Sequence, residues 1–109
     1  MSELTLKQVC DLVGVSRRAI QGYENERLVH STGRTKQGYL LYNEEMIKRI
    51  QEIKMYQDAG FHVKQIAGII DESIEIKKKA LKEKIKYLNE KKEHIDITIH
   101  LIETYLEKY

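Results

Sequence analysis

Apolar residues recur along this chain first at short helical spacings and then, beyond Asp71, at an unbroken seven-residue period. Leu6, Val9, Cys10 and Val13 fall at i, i+3, i+4 and i+7, the stripe of a short amphipathic helix. Thr5 stands where that helix needs an N-cap, Gln8 three residues later completes a capping box, and Gly14 suits the C-terminal turn. Ser16 follows at once as a second N-cap, opening SRRAIQGYENE. Two short helices joined by a glycine turn predict a helix-turn-helix over about residues 5–25. In its second helix Ala19, Ile20 and Tyr23 share one face, while Arg17, Arg18 and Gln21 share the other beside Gly22.

From Leu28 to Tyr42 the helical period lapses. Leu28-Val29-His30 reads as a brief extended run, GRTKQG as a polar loop and Tyr39–Tyr42 as β-prone. A small hairpin, or wing, is expected over about residues 28–42, with Arg34 and Lys36 at or near its tip. Asn43 caps a third helix whose inner stripe is read as Met46, Ile50, Ile53 and Gln57, ending at Gly60. A fourth follows Phe61, with Val63, Ile66, Ala67 and Ile70 as its stripe.

The seven-residue series runs Ile74, Leu81, Leu88, Ile95, Ile102 and Tyr109, interleaved by Lys78, Ile85, Lys92, Ile99 and Leu106. Together they form a heptad seam with lysine at two core positions. A continuous helix over residues 74–109 would extend roughly 54 Å at about 1.5 Å per residue. A small domain cannot bury so long a stripe, so homodimerisation through a coiled coil is expected. Ile74, Leu81, Ile85, Leu88, Ile95, Ile99, Ile102 and Leu106 are its dimerisation residues. A second stripe at Ile97, Leu101 and Tyr105 is surplus to a two-stranded seam. It implies that this end also packs on the partner's N-terminal domain, which requires the two helices to run antiparallel.

Composition narrows the field. A chain of 109 residues with 41% apolar and 33% charged positions holds a modest core. The expected division is a DNA-binding domain over residues 3–72 and a dimerisation helix over 74–109. Proline is absent, which favours helices without forced breaks. A lone Cys10 excludes an internal disulfide and suits a reducing compartment. No apolar run reaches the roughly 20 residues of a membrane span, and no secretory signal pattern opens the chain, so it reads as cytoplasmic, with no membrane partner. The net charge is only +2, and no third of the chain departs from neutrality by more than two charges. Nucleic-acid binding must therefore come from the placement of particular cations.

That placement is suggestive. An outward Arg17-Arg18-Gln21 face is suited to base edges in the major groove, and Arg34, Thr35 and Lys36 to flanking phosphates. A two-fold dimer would set two such helices about 34 Å apart, one turn of duplex. Cys10 reads as a small core residue, the histidines are scattered, and no grouping supports a metal, cofactor or catalytic site, so an enzyme is not expected. The Lys77–Lys86 run is interspersed with glutamates and reads as a solvated coiled-coil exterior.

The residues also carry a family resemblance. Gly14-Val15-Ser16, Arg18, Ile20, Tyr23-Glu24, Gly38-Tyr39, Leu41-Tyr42, Ile53 and Gly60-Phe61 resemble, in order and spacing, the DNA-binding domain of MerR-type transcriptional regulators. The likeness covers about residues 4–71, and the long helix stands where that family keeps an antiparallel coiled coil. It implies a mainly α fold, a winged helix-turn-helix followed by a long C-terminal helix in a homodimer. It also implies that Ser16, Arg17 and Arg18 start the recognition helix and that Tyr23 and Tyr39 lie near phosphates. The partner implied is double-stranded promoter DNA, bound at an inverted repeat and distorted so that RNA polymerase engages it.

The chain departs from the family pattern in four places. Gln21-Gly22 stands for the usual Arg-Tyr, Leu40 for arginine, Arg27 for a frequent glycine, and His62 for serine or threonine. The first two changes remove backbone contacts, which predicts weaker non-specific affinity, with Arg17 or Arg27 left to compensate. Neither effector nor sign of regulation is encoded in these motifs. Two other readings share the features: an excisionase-like architectural DNA-binding protein, and a coiled-coil interaction module that does not bind DNA.

Overall fold

The computed structural model describes residues 3–109; Met1 and Ser2, part of the N-terminal stretch read above, lie outside the described residues. Strand β1 (Leu4–Thr5) leads into α1 (Leu6–Val13) and α2 (Arg17–Asn25). Strands β2 (Gly33–Arg34) and β3 (Leu40–Tyr42) precede α3 (Glu44–Asp58), the short α4 (Val63–Ala67) and the 34-residue α5 (Ile74–Glu107). The chain divides into two compact units, one ending at Asp71 and the other running Glu72–Tyr109.

Capping chemistry sets the boundaries of the first unit. The Thr5 hydroxyl accepts from the Gln8 amide at 3.3 Å and Gln8 Oε1 accepts from the Thr5 amide at 2.9 Å, so the capping box is complete. Gly14 closes α1 at φ 79°, a conformation that favours glycine. Ser16 Oγ accepts from the Ala19 amide at 3.0 Å and Asn43 Oδ1 from that of Met46 at 3.0 Å, which starts α2 and α3.

Helix α2 ends without a glycine. The Leu28 amide donates to the Tyr23 carbonyl and the Arg27 amide to that of Glu24, both at 2.9 Å, a Schellman closure. This geometry places Arg27 at φ 60°, in the left-handed region.

The core of this unit comes from every helix and from β3. Val9, Ile20, Tyr23, Tyr42, Ile50, Ile53, Tyr56 and Ile66 are its most completely buried side chains. Each buried aliphatic side chain contributes roughly 1.5–3 kcal/mol. The buried phenols keep their hydroxyls satisfied. Tyr23 donates to Gln57 Oε1 at 2.6 Å, Tyr42 to Glu24 Oε2 at 3.3 Å and Tyr56 to Glu52 Oε2 at 2.9 Å. Arg49 on α3 donates its Nε to the Leu28 carbonyl and grips Asp71 through both terminal nitrogens, at 2.7 and 3.0 Å. One guanidinium thus ties the segment after α2 and the end of the unit to the central helix.

Several expectations need correction. Leu28-Val29-His30 forms no strand; Leu28 and Val29 are buried in the core, since a chain leaving α2 toward α3 must cross it. The hairpin is instead Gly33–Arg34 against Leu40–Leu41, and β3 pairs on its other edge with β1, giving a three-stranded antiparallel sheet in the order β1-β3-β2. On α3 the inner stripe includes Ile47 and Tyr56, whereas Gln57 lies half-buried at its flank as the acceptor for Tyr23. Helix α4 covers only five residues, with Ile66 and Ile70 buried and Ala67 exposed.

The second unit is a single helix. The Ser73 hydroxyl caps α5 by accepting from the Ile76 amide at 3.3 Å. No residue of α5 is buried, and its large apolar side chains are mostly exposed along the heptad seam.

Candidate nucleic-acid interface

Helix α2 separates its chemistry by face, as a helix does when its buried positions are three residues apart. Ile20 and Tyr23 face the core, while Arg17, Arg18 and Gln21 are exposed together with Ser16. The Ser16 hydroxyl is already engaged as the cap, so its part is to fix where the helix starts and how the two arginines leave it. Gly22 is half-buried on this helix, with open space where a Cβ would stand.

Tyr23 belongs to the core and not to the exposed face. Its side chain is 1% exposed and its hydroxyl is held by Gln57. An amphipathic aromatic at the inner edge of a helix buries its ring first, and here the polar tip finds its partner inside the protein. Burial, followed by the charge of Asp58, pushes the Tyr23 phenol up from its ordinary ionisation range.

The wing is a tight turn stiffened by its own side chains. The Thr35 amide donates to the Tyr39 carbonyl and the Gly38 amide to the Thr35 carbonyl, each at 2.9 Å. Thr35 Oγ1 accepts from the Tyr39 amide at 3.1 Å, and Arg34 Nη1 donates to the Gly38 carbonyl at 2.9 Å. Gly38 makes the reversal at φ 92°. Arg34 and Thr35 therefore act first on the wing itself, while Lys36 and Tyr39 project outward, Tyr39 at 65% exposure.

Between the wing and the two helix starts lies a cleft of about 540 Å³, lined by Thr5, Leu6 and Lys7, by Arg17, and by Gly38 through Leu40. Sequence reasoning missed Leu6 and Lys7 as part of this surface and marked Leu40 only as the place of the family's usual arginine. Leu6 and Lys7 come to it because the two-residue β1 pairs with β3, a pairing too short to recognise from sequence.

Cys10 is half-buried on α1, and burial raises its thiol above the usual range, which keeps it a weak nucleophile and metal ligand near neutral pH. Among the described residues no three His, Cys, Asp or Glu side chains are grouped as a metal site. No described helix is long and apolar enough to cross a membrane. On α5, Ile74, Ile85, Leu88, Ile95, Ile99, Ile102 and Leu106 are exposed, with Leu81 half-buried.

Two capped helices, a short tight turn between them and a basic hairpin define a winged helix-turn-helix domain. Known proteins agree. The profile described as MerR HTH family regulatory protein matches residues 4–73, and the chain belongs to that family. It is 32% identical over 98 residues to the HTH-type transcriptional activator mta of Bacillus subtilis (strain 168), covering 90% of this chain but 38% of that protein. The mercuric resistance operon regulatory protein of Bacillus cereus is 31% identical over 67 residues, which cover 59% of this chain and 51% of that one. The chain thus spans about half or less of these curated relatives.

Among solved structures, the N-terminal part of the Bacillus subtilis multidrug transporter activator, MtaN, superposes with a TM-score of 0.76 at 31% identity, covering 94% of this chain and 97% of that one. HiNmlR, described as a MerR family regulator lacking the sensor domain and bound to promoter DNA, shares the fold with a TM-score of 0.67 at 19% identity, over 95% of this chain and 87% of that one. The helix-turn-helix of this chain is thus that of the MerR HTH family.

Proposed function

We propose that this chain acts as a homodimer, joined through α5 in an antiparallel coiled coil, that binds an inverted repeat within promoter DNA and distorts it so that RNA polymerase can engage. The observation that carries this reading is the exposed Arg17-Arg18-Gln21 face of α2 beside a stiffened basic wing. In this reading Arg18 and Gln21 address base edges in the major groove, and Arg17, with Lys36 and Tyr39 of the wing, addresses phosphates. Arg34 and Thr35 hold the wing in shape and add their remaining polar groups to it. The exposed seam of α5 supports dimerisation, because seven large aliphatic side chains left in water along one helix are costly until a partner covers them. The promoter-bound HiNmlR structure supports DNA as the ligand of this fold.

The test is a gel-shift series against a duplex selected from a random library. Arg18→Ala is expected to weaken binding to the selected sequence by about tenfold or more, since one good base contact is worth roughly 1–3 kcal/mol. Unchanged affinity at matched salt removes Arg18 from the base-reading role. Transcription in vitro from a promoter carrying the selected repeat then separates a regulator, which changes initiation, from a purely architectural binder, which leaves it unaltered.

A further inference from the structure

Helix α5 carries a second regular stripe beside its heptad seam. Lys77, Lys84 and Lys91 repeat every seven residues, and Ala80, Tyr87 and His94 follow them by three. Each member precedes a seam residue by one position, so the stripe keeps the seam's three-four spacing on a face roughly 100° around the helix. No position of this stripe holds a carboxylate. The glutamates of the same half, Glu75, Glu83 and Glu90, pair at i, i+4 with Lys79 and Lys86 on other faces, and Glu90 only borders the stripe. Read along the chain the lysine run is mixed with acid; read along this face it is not.

The side chains bear this out. Lys77, Ala80 and Lys84 are half-buried, while Tyr87, Lys91 and His94 are exposed. The Lys84 and Lys91 ammoniums stand 5.1 and 5.4 Å from the centroid of the Tyr87 ring, within cation–π range. The same ring borders a shallow hollow of about 270 Å³ with Glu90, Lys91, His94 and Ile95. A helix face that met only water would gain from acidic partners among its lysines, whereas this one interleaves them with alanine, tyrosine and histidine.

We propose that this stripe docks an acidic amphipathic helix of a partner protein, laid along α5 from Lys77 to His94. The partner's carboxylates meet the three lysines, and its aliphatic side chains pack on Tyr87 and over Ala80, where a small side chain admits close approach. The three-four spacing, sustained over roughly 26 Å, is what a helical ligand matches. A nucleic acid suits the stripe less. No arginine occurs beyond Arg49, and the seven carboxylates on the other faces of α5 repel a polyanion. The stripe contains no seam residue, and the inference is independent of the reading of α2 as the helix that enters DNA.

The experiment is fluorescence anisotropy of the full chain with a labelled synthetic helical peptide, leucine along one heptad series and glutamate along the flanking ones. A peptide of the same composition in scrambled order is the control, and circular dichroism checks that each variant keeps its helix. The parent should bind the patterned peptide about tenfold more tightly than the scrambled one. Lys84→Glu, Lys91→Glu should weaken that binding by about tenfold or more, because like charges then face each other across the contact. Tyr87→Ala should weaken it by about fivefold or more, as loss of a central aromatic anchor does, and Glu93→Gln on another face should leave it within about twofold. Equal binding of the two peptides overturns the inference, and so does no binding of either. If Lys84→Glu, Lys91→Glu instead loosens an unrelated DNA duplex while the peptide stays bound, the stripe is a nucleic-acid surface. If it shifts the monomer–dimer equilibrium in sedimentation while the peptide stays bound, the stripe belongs to the contact between copies. Either result removes the partner helix.

Discussion

Arg27 is the one described non-glycine residue held at positive φ, at 60°. It occupies the position after the cap of α2, where the Schellman closure requires a left-handed residue. A side chain with a Cβ costs roughly 1–2 kcal/mol there relative to the right-handed region, and glycine escapes most of that cost. Arg27 is exposed, so its side chain offsets little of the strain through packing. Arg27→Gly is therefore expected to raise unfolding stability by about 1 kcal/mol. Urea denaturation of the two chains measures it, and a loss of stability would mean that the guanidinium makes a contact worth more than the backbone strain. Nothing in Asn25-Glu26-Arg27 marks this turn from sequence, because the usual glycine signal is missing. The caps at Thr5, Ser16 and Asn43 were legible because their chemistry is local, each side chain bonding an amide three residues on.

Between elements, polar tips of buried tyrosines act as latches. Tyr42 of β3 reaches Glu24 of α2, and Tyr23 of α2 reaches Gln57 of α3. Burial, together with the neighbouring Glu24, pushes the Tyr42 phenol up to about 12, and burial with the Glu52 hydrogen bond does the same for Tyr56. In the unfolded chain both would ionise near 10. The stability they supply as neutral phenols is intact below about pH 10 and is lost as pH rises toward 12, at about 1.4 kcal/mol per unit for each. Urea denaturation at pH 9 and at pH 11.5 should show a smaller loss for the Tyr42→Phe, Tyr56→Phe chain than for the parent, lysine titration being common to both. Equal losses would mean that the phenols open to solvent before they ionise. These latches were not legible in advance, since helical periodicity places a tyrosine on a face without naming its hydroxyl's acceptor. The sheet was harder still. Two-residue strands carry almost no periodic signal, and β1 is defined only by a partner on the far side of the helix-turn-helix. The helices, by contrast, were legible from their stripes, with errors of a residue or two where a flank position such as Gln57 mimicked an inner one.

At the scale of the whole molecule, the proposed dimer rests on a seam that the sequence displays from end to end but that a single chain leaves uncovered. Lysines at positions 78 and 92 interrupt it, and their placement bears on how two helices meet. A parallel, in-register pair would set Lys78 against Lys78 and Lys92 against Lys92, two repulsive layers in one interface. An antiparallel pair centred on the middle of α5 brings Lys78 near Glu103 of the second copy and leaves only Lys92 close to its own equivalent. Buried lysine at a core position lowers stability and restricts the arrangement, as polar core residues do in coiled coils generally. Lys92→Leu should therefore tighten dimerisation by at least tenfold, since two added leucines bury apolar surface worth roughly 1.5–3 kcal/mol each. Leu88→Lys, which extends the charged layer, should shift the chain toward monomer and weaken binding to the inverted repeat more than to a single half-site. Sedimentation equilibrium across a concentration series reads both. If Lys92→Leu leaves the monomer–dimer equilibrium where it was, residue 92 lies outside the interface, and two copies must meet by some other face of α5.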